Sequence, residues 1–414
     1  MSPRPIQSTV CRAMRRGVGR VGMTRAAGAV LAVFVGMPVA GTQDACAQGG
    51  RSLIVAPTYQ SWQFGTSVPL DSIRVKSATQ IAAPFLVDLP LGSRWTASIS
   101  GAAFSSQLVT DSASSGVARS MSGVTDLRVR ATGRVIGDAL HVTFGVNIPT
   151  GATGLSAKQN DVVRVVAAPA LGAAVTVPGV GVGGTVGAVF AHRVGDWAVA
   201  LGGAFEQRGT YSPLEVAIAG KSARTELVPG KTVHVSLGAD GLVGANRLSI
   251  GLVGDLYGTD QLRSISDGKT QTDDYQLGPT GSATMSLQIA NPRIRDFTLQ
   301  FSDRFRSTFK DAAGVAVVGS SGNYIEASGS GLIGSAGRPS LVIGVDVRQH
   351  SGLPVDKSFI GAELTAIGAT LGLSLPIGDM EWRPTVRVSE GTLKTQRVST
   401  TIMSFTAGLT ISAR

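Results

Sequence analysis

From Leu140 the chain reads Leu-His-Val-Thr-Phe-Gly-Val-Asn-Ile, with Leu140, Val142, Phe144, Val146 and Ile148 on one face and His141, Thr143, Gly145 and Asn147 on the other. This is the period-2 alternation of a strand with one apolar and one polar face. The pattern recurs about sixteen times. It predicts strands at 53–63, 72–89, 94–105, 124–135, 139–148, 185–193, 197–207 and 231–243. The series continues at 247–257, 275–289, 294–307, 323–335, 340–350, 359–375, 380–390 and 400–413. The connections fall into two classes. Short ones at 90–93, 136–138, 195–196, 244–246, 291–293, 336–339 and 376–379 carry the Gly, Asp, Asn and Pro of tight turns. Longer, more polar ones lie at 64–71, 106–123, 149–184, 208–230, 258–274, 308–322, 351–358 and 391–399. Short and long alternate strictly, so the strand count is even: sixteen, or fourteen if the first hairpin is misread.

Such a series predicts an all-β fold, a closed antiparallel transmembrane β-barrel with lipid outside and water inside. Its short turns and both termini would face the periplasm, and its long loops the exterior. A β-sandwich of this length would need several separate cores, and a fibrous stalk a visible fixed-period repeat. Neither is present. The longest connection, 149–184, contains the apolar run Asp161-Val-Val-Arg-Val-Val-Ala-Ala-Pro-Ala-Leu-Gly-Ala. It is read as a loop that folds as a short amphipathic helix or a hairpin, above or within the pore. Trp95, Trp197, Trp382 and Phe297 follow short turns, while Tyr59, Trp62, Tyr211, Tyr257, Tyr275, Tyr324 and Phe359 cluster near the long loops. The two groups read as aromatic girdles at the headgroup levels.

Residues 1–47 read as an export signal. Arg4, Arg12, Arg15, Arg16, Arg20 and Arg25 make a basic region, residues 26–36 are apolar, and Ala45-Cys46-Ala47 fits a small-residue cleavage site. The expected mature chain begins at Gln48, and residues 48–414 form one barrel domain. Removing the leader changes the charge picture. The full chain has Lys+Arg 37 and Asp+Glu 27; the leader holds six arginines and one aspartate, which leaves 31 against 26. The basic balance is thus partly a leader property and no argument for nucleic-acid binding. Both cysteines, Cys11 and Cys46, also lie in the leader, so neither a disulfide nor thiolate chemistry is expected of the barrel.

No catalytic or cofactor motif emerges. The two G-x-G-x-x-G matches, at Gly179/Gly181/Gly184 and Gly329/Gly331/Gly334, do not open a helix as a dinucleotide site requires. His141, His192, His234 and His350 have no second ligand at metal spacing, and no G-x-S-x-G elbow exists. The chain is therefore read as a non-enzyme without metal or cofactor.

The polar faces of the strands carry charge. Asp126, Arg128, Arg130, Thr132 and Arg134 share one face, and an arginine facing lipid at mid-membrane costs about 2–4 kcal/mol, so this face is the lumen. The same parity places Glu206, His234, Asp240, Asp255, Asp296, Arg304, Arg306, Glu326, Asp346, Arg348, Arg383 and Arg387 inside. Mixed signs suit pairs that brace the interior, whereas the Arg128/Arg130/Arg134 ladder suits an anion path; the sequence leaves both open.

The strand end Val146-Asn147-Ile148-Pro149-Thr150-Gly151, between a Gly-Asp turn and a long loop, resembles outer-membrane transporters of the FadL and phenol-degradation meta-pathway type. Residues 80–103, with Pro84 and the turn before Trp95, and residues 183–211, with Gly195-Asp196-Trp197, are similar to the same group. The resemblance implies a monomeric outer-membrane barrel, inserted by the barrel-assembly machinery, that passes small and hydrophobic compounds passively. Barrels of that type begin with a hatch that plugs the pore, whereas few residues separate Gln48 from the first strand here. The alternatives are a general diffusion porin, which commonly folds its third loop inward, and a structural barrel without transport.

Overall fold

In the computed structural model the described residues are 51–413, apart from 71–72, 112–118, 219–220, 267–268, 292, 311–313, 316–320, 336, 352–362 and 396. The expected leader lies outside them, as does Phe359.

The wall is one antiparallel sheet of eighteen strands. In chain order its first half is β1 (Ser52–Val55), β2 (Thr58–Leu70), β3 (Ile73–Leu91), β4 (Trp95–Thr110), β5 (Arg119–Val124), β6 (Leu127–Ile136), β7 (Leu140–Ile148), β8 (Gly183–Val194) and β9 (Trp197–Arg208). The second half is β12 (Thr232–Val243), β13 (Asn246–Tyr257), β16 (Thr280–Ile289), β17 (Ile294–Arg306), β18 (Gly322–Ile333), β19 (Ser340–Ser351), β20 (Glu363–Ile377), β21 (Met380–Lys394) and β22 (Ser399–Ala413). β22 pairs with both β1 and β2, for example Leu53↔Ala413 and Thr58↔Gly408, which closes the sheet on itself.

The barrel has sixteen staves rather than eighteen, because two are interrupted. β1 and β2 share the neighbours β3 and β22 and are split at Pro57, which has no N–H for the ladder. Hydrogen bonds still cross that break, from Ala56 N to the Pro84 carbonyl and from Leu409 N to the Pro57 carbonyl, at 2.9 Å each. β5 and β6 both pair with β4 and are split at Thr125-Asp126. The sixteen-stave reading and the strict short/long alternation hold. Gly195, Gly244 and Gly378 open two-residue turns with φ of 61°, 64° and 61°. Only the first turn residue is left-handed, the geometry that matches the twist of the flanking strands.

The outer face is an apolar belt. Phe144, Val146, Leu201, Val235, Leu237, Val345, Ile367, Leu371, Val388 and Met403 are all exposed. Apolar surface on this scale, continuous around a closed wall, is what a bilayer covers and water does not. Among the described residues no helix is long and apolar enough to cross a membrane.

Three readings are corrected. The connections at 208–230 and 258–274 are not irregular: they form β10 (Tyr211–Ile218), β11 (Lys221–Val228), β14 (Thr259–Ser266) and β15 (Lys269–Gln276). These pair into a separate four-stranded sheet beyond the long-loop end. Lacking a lipid face, they carry no strong apolar alternation. Second, the upper girdle is thinner than read: Trp62 points inward and is 2% exposed, and Tyr257 and Tyr324 share the inner face with Asp255 and Glu326. Trp95 does sit on the outer wall, stacked on Phe144 at 6.3 Å. Third, Asp296 occupies a bulge in β17 with φ 50° and is exposed, so alternation does not run through it.

Candidate functional site: a lumen constricted by the third long loop

The 149–182 connection, third of the long-loop series, turns into the barrel. Its helix α1 (Ala157–Val166) starts at Ser156, whose hydroxyl accepts from Gln159 N while the Gln159 side chain accepts from Ser156 N. The buried face of α1 is Val162, Val165 and Val166, packed against β4 and β5, and Asp161 pairs with Arg119 of β5. Of the two forms the sequence left open, helix or hairpin, the connection takes the helix, at the long-loop end of β4 and β5 and in contact with β10 of the surface sheet.

After α1 the chain is held by the wall as if by a neighbouring strand. Gln60 and Gln80 are cross-strand partners on the inner face, and each uses both ends of its amide. Gln60 donates to the Gly172 carbonyl at 3.2 Å and accepts from Ala174 N at 2.7 Å. Gln80 donates to the Val175 carbonyl at 2.8 Å and accepts from Val175 N at 2.9 Å. The Trp62 indole N–H donates to the Leu171 carbonyl at 3.0 Å. These bonds supply partners for backbone that would otherwise be buried and unsatisfied.

The two ends of the loop are tied by one carboxylate. Asp126, at the β5/β6 break, accepts from Gly151 N at 2.9 Å, Val180 N at 2.7 Å and the Asn147 amide at 2.8 Å. The Thr150 hydroxyl donates to the Thr125 carbonyl and accepts from Leu127 N. The Asn147-Ile148-Pro149-Thr150-Gly151 stretch is therefore the loop anchor. A Cβ at Gly151 would run into the Pro178 carbonyl oxygen, which explains the glycine. Asp126→Ala removes three acceptor contacts of a buried carboxylate, each worth about 1.5–3 kcal/mol. The expected result is faster hydrogen exchange across 152–179 with the wall unchanged; uniform loosening of the barrel would show that the anchor is not local.

Burial around the upper lumen is strongly asymmetric. The inner faces of β20, β21, β22, β2, β3 and β4 present Leu364, Leu393, Ile402, Trp62, Phe64, Ala78, Phe104 and Leu108, all buried in one cluster with Leu155, Val162, Val165, Ala170 and Leu171 of the loop. The loop thus seals an apolar arc of the wall. The rest of the circumference, β6 to β19, carries charge. Arg128 and Arg304 are exposed although they point inward, and Glu206, His234, Asp255 and Arg306 are half-buried. Water reaches this side.

Around the inner face some charged groups are paired and others are not. His234 sits between Asp255 (2.7 Å) and Glu206 (3.4 Å), and Arg208 also reaches Glu206 at 3.4 Å. Asp255 accepts in addition from Thr280 at 2.8 Å. Asp346 is gripped by Arg387 at 2.5 Å and lies 3.6 Å from Arg348, which contacts Ser389 at 3.4 Å. Glu326 accepts from the Tyr324 hydroxyl at 2.9 Å, and Arg304 lies 6.0 Å over the Tyr324 ring. Nearer the short turns Arg247 pairs with Asp240 at 2.9 Å, and Arg383 with Glu381 at 2.7 Å. Arg134 bonds Asp138 at 3.0 Å and the Ser93 carbonyl at 2.5 Å. Arg128, Arg130, Arg304 and Arg306 have no carboxylate within ion-pair distance among the described residues.

The Arg128/Arg130/Arg134 ladder read from sequence is thus divided: Arg134 braces a turn, and the upper two stand apart from it. Arg348, Arg387 and Asp346 form one cluster, Glu206 and His234 another. Sequence reading missed the loop's receptors, Gln60, Trp62 and Gln80, and the anchoring role of Asp126 and Asn147. Their inward parity was visible, but nothing in the chain named the loop as their partner. No group of three potential ligands is arranged to hold a metal among the described residues.

No family model matches the chain, and no curated protein matches it by sequence. In structure it is similar to the CymD monoaromatic hydrocarbon channel, at 9% identity over 88% of each chain and a TM-score of 0.39. A TodX deltaS2S3 monoaromatic hydrocarbon channel is 12% identical over 88% of this chain and 90% of that one, with a TM-score of 0.40. OprB of Pseudomonas putida is 12% identical over 88% and 94%, with a TM-score of 0.42.

Proposed function

We propose that the chain is a passive outer-membrane channel in which small water-soluble molecules cross between the inward loop and the charged arc. The observation that carries this reading is the exposure of Arg128 and Arg304 on the inner face of a lipid-facing barrel, outside the arc of wall sealed by the loop. A closed wall satisfies every backbone group without a pore, so a structural barrel would have no need of a wet, charged strip. Passage of hydrophobic compounds, the class implied by the FadL-type resemblance, finds support in the apolar arc. That arc is covered by the loop, which favours the polar route. The leader is proposed to be removed after Ala47 and the barrel to act as a monomer.

The test is a planar bilayer. Purified barrel should give stepwise, steady, unit currents in potassium chloride. Insertion without current, shown by heat-shifted mobility of the recovered protein, would end the channel reading.

A further inference from the structure

Resting on the channel reading, we infer that the wet strip is an oxyanion path, selective for small carboxylates and phosphates, with Arg128 and Arg130 of β6 and Arg304 and Arg306 of β17 as its recognition groups.

Arg208, Arg348 and Arg387, inner-face arginines of the upper lumen, spend their charge on Glu206 and Asp346. The carboxylates near the other four are already committed: Asp126, two residues before Arg128 on the same face, accepts from Gly151 N, Val180 N and Asn147. Glu206 lies within electrostatic reach of Arg128 and Arg130 but is engaged by His234 and Arg208. Glu326, diagonal to Arg304 across the β17–β18 ladder, takes the Tyr324 hydroxyl. Arg306 Nε is enclosed and has no hydrogen-bond partner.

Geometry sharpens the point. Arg128 and Arg130 are two residues apart on one strand, as are Arg304 and Arg306, so each pair shares a face with about 7 Å between neighbours. Like charges so placed repel. In a water-filled strip walled by low dielectric, the compensating charge comes from solution, and the local anion concentration rises. The residue type selects among anions: the planar guanidinium fork matches the two oxygens of a carboxylate or phosphate, whereas a halide uses it only as a point charge. Arg304 and Arg306 lie at the long-loop end of β17, and Arg128 and Arg130 follow Asp126, the residue that fastens both ends of the inward loop.

Reversal potentials across a potassium chloride gradient test the selectivity. Wild type should favour chloride over potassium, and R128Q/R130Q/R304Q/R306Q should lower that permeability ratio by at least about threefold. Each double variant alone, R128Q/R130Q or R304Q/R306Q, should give an intermediate value, which keeps the test available should the quadruple variant fold poorly. R134Q, which loses a turn brace, should leave the ratio unchanged. Sodium succinate or inorganic phosphate added on the long-loop side should interrupt the chloride current in wild type and not in the variants. Interruption by only one of the two identifies which oxyanion the strip takes. Steady current without anion preference, or a ratio that survives the double variants, overturns the inference and leaves the channel reading standing. Absence of any current overturns both.

Discussion

Excision of residues 152–177, with a short glycine-serine bridge, should raise the unit conductance roughly two- to threefold, because conductance follows the free cross-section of the narrowest zone. The cut leaves Gly151 and Val180 in place, so Asp126 can still fasten both stubs. It removes α1 and the stretch held by Gln60, Trp62 and Gln80. No wall strand is touched, and the sixteen-stave ladder that satisfies the backbone in lipid is intact. The barrel should therefore still form and show heat-shifted mobility. It should also be less stable, since Trp62, Phe64 and Leu108 lose the apolar surface that covers them. Uncovering a side chain of this size costs about 1.5–3 kcal/mol. The same variant distinguishes the two solute classes: with the apolar arc bared, uptake of hydrophobic compounds should rise from a low baseline. Unchanged conductance after excision would mean that the loop does not set the narrowest zone.

The barrel was legible in the sequence because two solvents write on each strand at once. Lipid demands apolar side chains on one face, the lumen admits polar ones on the other, and the alternation follows for as long as both conditions hold. Where one of them fails, legibility fails too. Lys269-Thr-Gln-Thr-Asp-Asp-Tyr-Gln276 is a strand of the surface sheet, yet water touches both faces and no period appears. Trp62 lies near a strand end, where a girdle residue is expected. Its parity with Gln60 and Phe64 marked it as inward, but an inward tryptophan makes sense only once an apolar loop is known to cover it. Asp296 departs from the alternation for a backbone reason, since a left-handed residue in a bulge leaves no trace in composition. The charged residues were placed on the correct kind of position, but parity does not reveal pairing. Arg134 and Arg128 look alike in sequence and differ because Asp138 and the Ser93 carbonyl lie within reach of Arg134.

Face assignment on β7 yields the second large effect. Phe144 and Val146 are 52% and 53% exposed on the outer wall, and arginine at either should cost about 2–4 kcal/mol, the price of a cation near the bilayer midplane. Phe144→Arg also loses the stack on Trp95. Thr143→Arg, one position away, places the same charge in the lumen beside Thr132 and Gly187 and should leave folding nearly unaffected. Asn147, although also inward, is no neutral control, because its amide holds Asp126 and the Gly181 carbonyl. Its replacement should loosen the loop rather than the wall. Urea unfolding in lipid vesicles, read by heat-shifted mobility, separates these cases. A register slip by one residue would exchange the two faces throughout β7. Equal losses at Thr143 and Phe144, or a greater loss at Thr143, would therefore overturn the lumen and lipid faces of β7, and with them the position of Arg128 and Arg130, whose cross-strand partners are Asn147 and Gly145.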